Sequence, residues 1–459
     1  NCFTFKTYGS FSRKNVMNTS ITHSKRHLLL LFLLMFGSLL LVGFFQSWNL
    51  MLAILNLCLI SAVMSLGVNL QWGYAGLFNA GIMGFAALGG LAAMLVTKAP
   101  VIGAWQAGGF SILIGILIWL ISGLLAYFVW IKLKGRGKKR YWYVILIAGL
   151  GYIISRIILD PAILRVEAFE PSSSGYLGGA GLPVLLSWAV GGLLAALVAL
   201  VIGKITLGLR SDYLAIATLG ISEIVIFLFK NEDWLTRGVK NVTGIPRPVP
   251  YEIDLQSAIW FQNSSEHLGI GVVQASGLFV KLCYTCLFLG VLLFLLWLCE
   301  RALNSPWGRM MRAIRDNETA ASAMGKNVTS RHLQIFVIGS AIVGIAGAML
   351  VTLDGQFNPT IYHPLRFTFL IWVMVIVGGS GNNFGAILGG FVVWFFWIEA
   401  EIIGNALVYI LTLPLSETSS LKAHFLSTAP QLRLLIMGLV LLLFLRFAPR
   451  GLIPEKTNN

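Results

Sequence analysis

The sequence predicts an all-α fold: a polytopic transmembrane helical bundle of about 10–12 spans, with the N-terminus and the C-terminus both cytoplasmic. Three observations carry this. The 459 residues are 57% hydrophobic and only 11% charged, a composition outside the range of soluble globular domains. The apolar residues fall in runs long enough to cross a hydrocarbon core of about 30 Å, which takes roughly 20 residues as helix. Spanning backbone must satisfy its own hydrogen bonds, and the short alternating segments of a β-barrel are absent. The third observation is the distribution of positive charge, which sets the orientation.

The chain opens on a basic leader, residues 1–27, expected on the cytoplasmic face. Its first sixteen residues contain no Met, Met17 offers an alternative start, and 1–16 are set aside from fold reasoning. Twelve apolar runs follow, near 28–45, 50–66, 77–97, 109–131, 141–159, 184–202, 212–230, 277–299, 332–353, 366–378, 385–405 and 431–447. No small-residue cleavage site follows the first run, which is expected to be a retained span. With the leader inside, the cytoplasmic segments collect 22 of the 33 Lys and Arg, including six in KLKGRGKKR (132–140) and six between Arg301 and Arg331. The opposite face holds most of the acids, in particular in the extracytoplasmic loop 231–276. That asymmetry is the positive-inside rule, so the net charge of +15 requires no nucleic-acid partner. The permease domain is expected to run over 28–447, with a cytoplasmic loop at 300–331 and a cytoplasmic tail at 448–459.

Two stretches break the apolar pattern alike: GYAGLFNAGIMGF (73–85) and GGSGNNFGAILGGF (378–391). Each glycine costs a helix roughly 1 kcal/mol relative to Ala, so close backbone approach or unwinding is expected there. Paired glycine-interrupted segments point to a permeation pathway in transporters, with Gln71, Tyr74, Asn79, Asn382 and Asn383 as neutral hydrogen-bonding groups for a small polar solute. Close helix packing or a simple turn explains the same pattern. Charge bias favours two crossings or a re-entrant loop at each stretch over one broken helix. Glu223, mid-span in DYLAIATLGISEIVIFLF, is a further pathway candidate, since intramembrane acids face a pathway or a partner; a packing role is the alternative. Small residues at helical spacing, such as Gly191, Ala195, Ala199 and Gly203, or Ser340, Gly344 and Ala348, predict tight helix contacts.

The sequence contains no catalytic constellation. The six His form no metal cluster, Cys58, Cys283, Cys286 and Cys299 lie in apolar runs without a disulfide framework, and MGKN (324–327) lacks the upstream Gly and the Ser/Thr of a phosphate-binding loop. No cofactor is expected in this chain; if ATP is used, another chain binds it.

The polar stretch RAIRDNETAASAMGKNV (312–328) predicts a helix of about two turns. Asp316 or Asn317 can cap it, Glu318 complements its dipole, and Gly325 stands where a left-handed C-terminal residue belongs. Ala320, Ala321 and Met324 form a small smooth face, with Arg309, Arg312 and Arg315 at the base, the shape of an element laid into another protein's groove.

Four ordered blocks carry a resemblance over roughly 50–400: SLGVNLQWGYAGLFNAGIMGFAALGG (65–90), LRSDYLAIATLGISEI (209–224), NSPWGRMMRAIRDNETAASAMGKNV (304–328) and VIVGGSGNNFGAILGG (375–390). Together they resemble the LivM-type permeases of branched-chain amino acid ABC importers. The resemblance implies a bacterial inner-membrane permease subunit that pairs with a second homologous permease, two cytosolic P-loop ATPases that bind ATP and Mg, and an extracytoplasmic solute-binding protein. It implies import of branched-chain or other amino acids, and Glu318, Ala320, Ala321 and Gly325 match the loop whose helix seats in the ATPase; with Arg312, Arg315 and Asp316 they make the expected coupling element. Asn79-Ala80 departs from the Gly-His pair frequent in the family, and the basic insertion 132–140 is larger than usual. A urea or short-amide ABC permease, and a self-contained proton-coupled secondary transporter relying on Glu223, are the alternative functions.

Overall fold

The computed structural model describes residues 10–133, 138–172, 174–413, 420–428 and 431–455. The leader before residue 10, residues 134–137 of the basic loop and the tail beyond 455 lie outside the described residues. The principal helices are α1 (Ser10–Phe45), α2 (Trp48–Gln71), α3 (Ile82–Thr97), α4 (Ile102–Lys132, with a π-turn at Trp105–Gly109), α5 (Lys138–Glu167), α6 (Val184–Thr206), α7 (Ser211–Asn231), α8 (Val272–Asn304), α9 (Pro306–Asp316), α10 (Glu318–Ala323), α11 (Val328–Asp354), α12 (Pro364–Gly378), α13 (Asn383–Thr412) and α14 (Leu432–Phe447). All twelve apolar runs fall on helices, and among the described residues nine helices are long and apolar enough to cross a membrane. The helix α3 is shorter than its run, at 16 residues, about 24 Å, because the glycine-bearing stretch from Trp72 to Gly81 is turn and extended chain.

The chain divides into two compact units. The first comprises residues up to Gly76, Val249–Val328 and those from Leu370 onward; the second comprises Leu77–Pro248 and Thr329–Phe369. At the centre of the first unit is α2, against which α13, α8 and α1 pack. From Cys58 to Gln71 every residue of α2 is buried, as expected of a helix apolar on all sides. Its interior polar groups are paired: Ser65 Oγ donates to the Ala386 carbonyl at 2.7 Å, Asn56 Nδ2 donates to the Lys281 carbonyl at 3.0 Å, and Asn56 Oδ1 accepts from Thr285 Oγ1 at 2.9 Å. Gly389 lies directly against the Met374 carbonyl and Gly385 against that of Gly378. This pairing makes α12 and α13 an antiparallel hairpin, so GGSGNNFGAILGGF is a tight turn at 379–382 followed by the first turns of α13.

In the second unit α3 packs against α6 and α7 and meets α11 through glycines. The predicted small-residue ladders meet there. A Cβ on Gly89 would lie 1.8 Å from the Gly344 carbonyl, and one on Gly344 would lie 2.6 Å from the Gly191 carbonyl and 2.5 Å from Ala195 Cβ. The α4–α5 hairpin has most of its surface exposed, with Ser155 Oγ donating to the Gly115 carbonyl at 2.9 Å. The expected loop 231–276 carries structure of its own: within the second unit Val242–Thr243 pairs antiparallel with Gln356–Phe357, and within the first lie helices Glu252–Ser257 and Ile259–His267.

The contrast between crowded and open glycines is testable. Gly344→Val should destabilise the protein by about 1–3 kcal/mol or more through overpacking. Gly290→Ala on α8, with nothing within 4 Å of the added methyl, should be neutral or add up to about 1 kcal/mol. Thermal unfolding in detergent checks both.

Candidate functional site

The loop between α8 and α11 is built from its caps. Pro306 opens α9 at the first helical position, where a missing N–H costs nothing. Gly308, Met311 and Ile314 recur every three residues and are the buried face of α9, which leaves Arg309, Arg312 and Arg315 on its other faces. The backbone turns extended at Asn317 (φ −155°) and this residue, not Asp316, caps α10: its Oδ1 accepts from the Ala320 N–H at 2.9 Å. Asp316 instead accepts from Arg315 at 3.1 and 3.2 Å. At the other end Gly325 has φ +75°, Lys326 N–H donates to Ala321 O at 3.2 Å and Gly325 N–H to Ser322 O at 2.9 Å. Those two bonds are the Schellman pattern, and the left-handed conformation favours glycine.

Between these caps α10 buries none of its residues, and Met324 beyond it is 80% exposed. Glu318 and Ala320 are exposed and Ala321 is half-buried. A helix this short is marginal in water by itself. Its small apolar face therefore stands open, held by Asn317 and Gly325 and anchored through Arg315.

Arg315 is the hub of the surrounding polar cluster. Its guanidinium meets Glu455 in a two-pronged pair, Nη1 to Oε2 at 3.0 Å and Nη2 to Oε1 at 3.1 Å, the strong planar geometry of Arg with a carboxylate. Nη1 also donates to the Gly73 carbonyl, tying α9 to the turn after α2. Burial works against the Arg315 charge, but the bonds to Glu455 and Asp316 outweigh it and raise its pKa. In the same turn, burial and the nearby Glu300 and Glu455 charges push the Tyr74 hydroxyl well above its usual pKa, against a smaller opposing pull from Arg312.

Beside this hub runs a relay of amides. Gly381 N–H donates to Asn69 Oδ1 at 2.9 Å, Asn69 Nδ2 to Asn383 Oδ1 at 3.0 Å, and Asn383 Nδ2 to Glu300 Oε1 at 2.8 Å. Asn382 caps α13, accepting from Phe384 and Gly385 N–H at 3.1 and 3.3 Å. The first unit thus brings Arg315, Tyr74, Asn382 and Asn383 to one end, with Gln71 buried at the end of α2. Asn69, Glu300 and Glu455 belong to the cluster and escaped the sequence reading. Asn69 and Glu300, polar residues within or closing apolar runs, carry a signal that could have flagged them; Glu455, in a tail, carries none.

In the second unit Asn79 is buried and turns its Oδ1 onto the Gly81 N–H at 2.9 Å, while Thr218 Oγ1 on α7 accepts from Ala80 N–H at 3.1 Å. Ser222, one turn on, lies against Gly84. Glu223 points the other way and is exposed, on an α7 face that also exposes Ile216, Ile224 and Phe227.

The sequence model of the family described as "Branched-chain amino acid transport system / permease component" matches residues 141–445. Over 268 residues the chain is 29% identical to the probable branched-chain amino acid transport permease protein LivM of Methanocaldococcus jannaschii, covering 58% of this chain and 67% of that protein. It is 31% identical over 200 residues to the high-affinity branched-chain amino acid transport system permease protein LivM of Salmonella typhimurium, covering 43% of this chain and 46% of that protein. With LivH, a permease protein of the same system in the same organism, it shares 26% identity over 183 residues, 40% of this chain and 53% of that protein. The chain thus spans about two thirds of the archaeal relative and about half of each Salmonella protein. No solved structure matches at the level of significance these relatives reach. With two thirds of its length inside the family match and its helical, multi-span architecture, the chain belongs to the branched-chain amino acid transport system permease family.

Proposed function

We propose that this chain is one permease subunit of an ATP-driven importer in the cytoplasmic membrane, carrying branched-chain or other small amino acids inward. The observation that carries the reading is α10: a double-capped helix with no buried residue, held at one end of the first unit by Arg315. An exposed two-turn helix gains its remaining stability from a docked partner, and a cytosolic ATPase is the partner that the family implies. Arg312, Arg315, Asp316, Glu318, Ala320, Ala321 and Gly325 form the coupling element. Two such ATPases bind ATP and Mg; the second permease is a homologue of the LivH or LivM kind, and an extracytoplasmic binding protein delivers the solute. The loop 300–331 and the segment after α14 face the cytoplasm, in keeping with the charge bias.

ATP-driven closure of the ATPases moves α10 as a rigid lever, and the packed spans alternate between inward-facing and outward-facing states. The solute must bind the two states differently for the cycle to do work. Gln71, Tyr74 and Glu223 are proposed to face the pathway. Asn79, Asn382 and Asn383 have their amides in the turns at helix ends, so their proposed part is to hold those turns in shape around it.

Two outcomes test this. With both ATPases, the second permease and the binding protein in liposomes, Gly325→Val should assemble normally yet import about tenfold less leucine per ATP hydrolysed, because a β-branched residue resists positive φ at a cost of about 1–3 kcal/mol. Gly325→Asn, which tolerates that conformation, should keep most of the coupling. The purified chain alone in liposomes should take up no leucine when a proton gradient is imposed, with or without Glu223→Gln. Unaided uptake that Glu223→Gln abolishes would establish the proton-coupled alternative instead.

A further inference from the structure

The segment that follows α14 returns along the α12–α13 turn and closes over it. Leu452 N–H donates to the Val377 carbonyl at 2.8 Å and Ile453 N–H to the Gly378 carbonyl at 2.9 Å. Ile453 is only 6% exposed. At Gly379 (φ +116°) a Cβ would lie 2.2 Å from the Ile453 carbonyl, so the turn has no side chain where the segment crosses. Asn382 Nδ2 donates to the Pro454 carbonyl at 3.3 Å. Two residues beyond Ile453 comes Glu455, whose carboxylate takes the Arg315 fork. Arg315 lies two positions before Asn317, the cap of α10.

We propose that residues 451–455 act as a strap that fixes the direction in which the coupling helix leaves α9, with Glu455 as a positioning residue acting through Arg315. The chain from α9 into α10 is a single extended residue, Asn317, which by itself leaves the angle of α10 free. The strap removes that freedom. It takes its own position from the backbone of α12 and the cap of α13, a hairpin whose helices meet through Gly385 and Gly389. Any shift of that hairpin is therefore carried to Arg315 and on to α10 by contact, and the reverse. The acid must be a carboxylate of glutamate length to meet both guanidinium nitrogens.

This inference rests on the reading of α10 as the coupling helix, so its test has one readout that does not depend on ATP. In the purified chain, tryptic cleavage after the exposed Lys326 follows local opening of the loop. Glu455→Gln should accelerate that cleavage about fivefold. Leu452→Pro, which removes the donor to Val377 and leaves Glu455 in place, should do the same, and Glu455→Asp should fall between. The melting temperature of each variant confirms that the bundle itself is intact. In the assembled transporter the same variants should lower leucine import per ATP while hydrolysis continues. Unchanged cleavage in both Glu455→Gln and Leu452→Pro would overturn the strap. Faster cleavage with import per ATP unaltered would overturn the positioning role, and would leave ATP-driven import by the parent transporter, the basis of the reading above, standing.

Discussion

Helices in lipid have no hydrophobic reason to prefer one another over acyl chains, so they associate only where backbones come close enough for dense van der Waals contact or where polar groups pair. Both devices are present in each unit. In the second unit the glycines at 89, 191 and 344 let α3, α6 and α11 approach until carbonyls fill the space a methyl would occupy. In the first unit α2 is held by amides and hydroxyls: Ser65 on the Ala386 carbonyl, Asn56 with Lys281 and Thr285, Asn69 with Asn383.

The polar cluster around Arg315 extends the same logic to the end of the first unit. Both side-chain amides in the relay from Gly381 to Glu300, Asn69 and Asn383, accept from one neighbour and donate to the other, which fixes the orientation of each and favours cooperative strengthening where water is scarce. Five separate stretches meet at this point: the turn after α2, the end of α8, the end of α9, the α12–α13 turn and the segment after α14. A site that takes input from so many segments is suited to transmit displacement, because none of them can move without disturbing the shared bonds.

Much of this was legible in the sequence. The apolar runs gave the helices, since a run of that length has few other solutions in a membrane. The caps of α10 were legible because Asn317 and Gly325 act through local backbone geometry, which depends on neighbours in the chain alone; only the choice between Asp316 and Asn317 needed coordinates, and it turned on Arg315 claiming the aspartate. Gln71, Tyr74, Asn382 and Asn383 were marked by polarity in an apolar setting, and polarity reports that a hydrogen bond is needed without saying to whom. Asn382 and Asn383 find it in the α13 cap and in Asn69 and Glu300. Glu455 could not be found at all, because its partner Arg315 is 140 positions away and a charged residue after a final apolar run looks like any solvated tail. The length of α3 was overestimated for a related reason: apolar residues such as Leu77 and Phe78 extend the run, while the buried Asn79 amide turns onto the Gly81 N–H in a non-helical stretch and the helix begins only at Ile82.

In the second unit, Glu223 gives α7 an energetic asymmetry. On α7 it shares an exposed face with Ile216, Ile224 and Phe227, and an acid at mid-span that neither water nor a donor reaches carries a penalty of about 2.5–3.5 kcal/mol on insertion scales. A solitary copy bears that penalty whole, whereas any arrangement that brings a donor or water to the carboxylate relieves it. The same side chain therefore makes a wetted, assembled pathway cheaper to hold in the bilayer than a solitary copy.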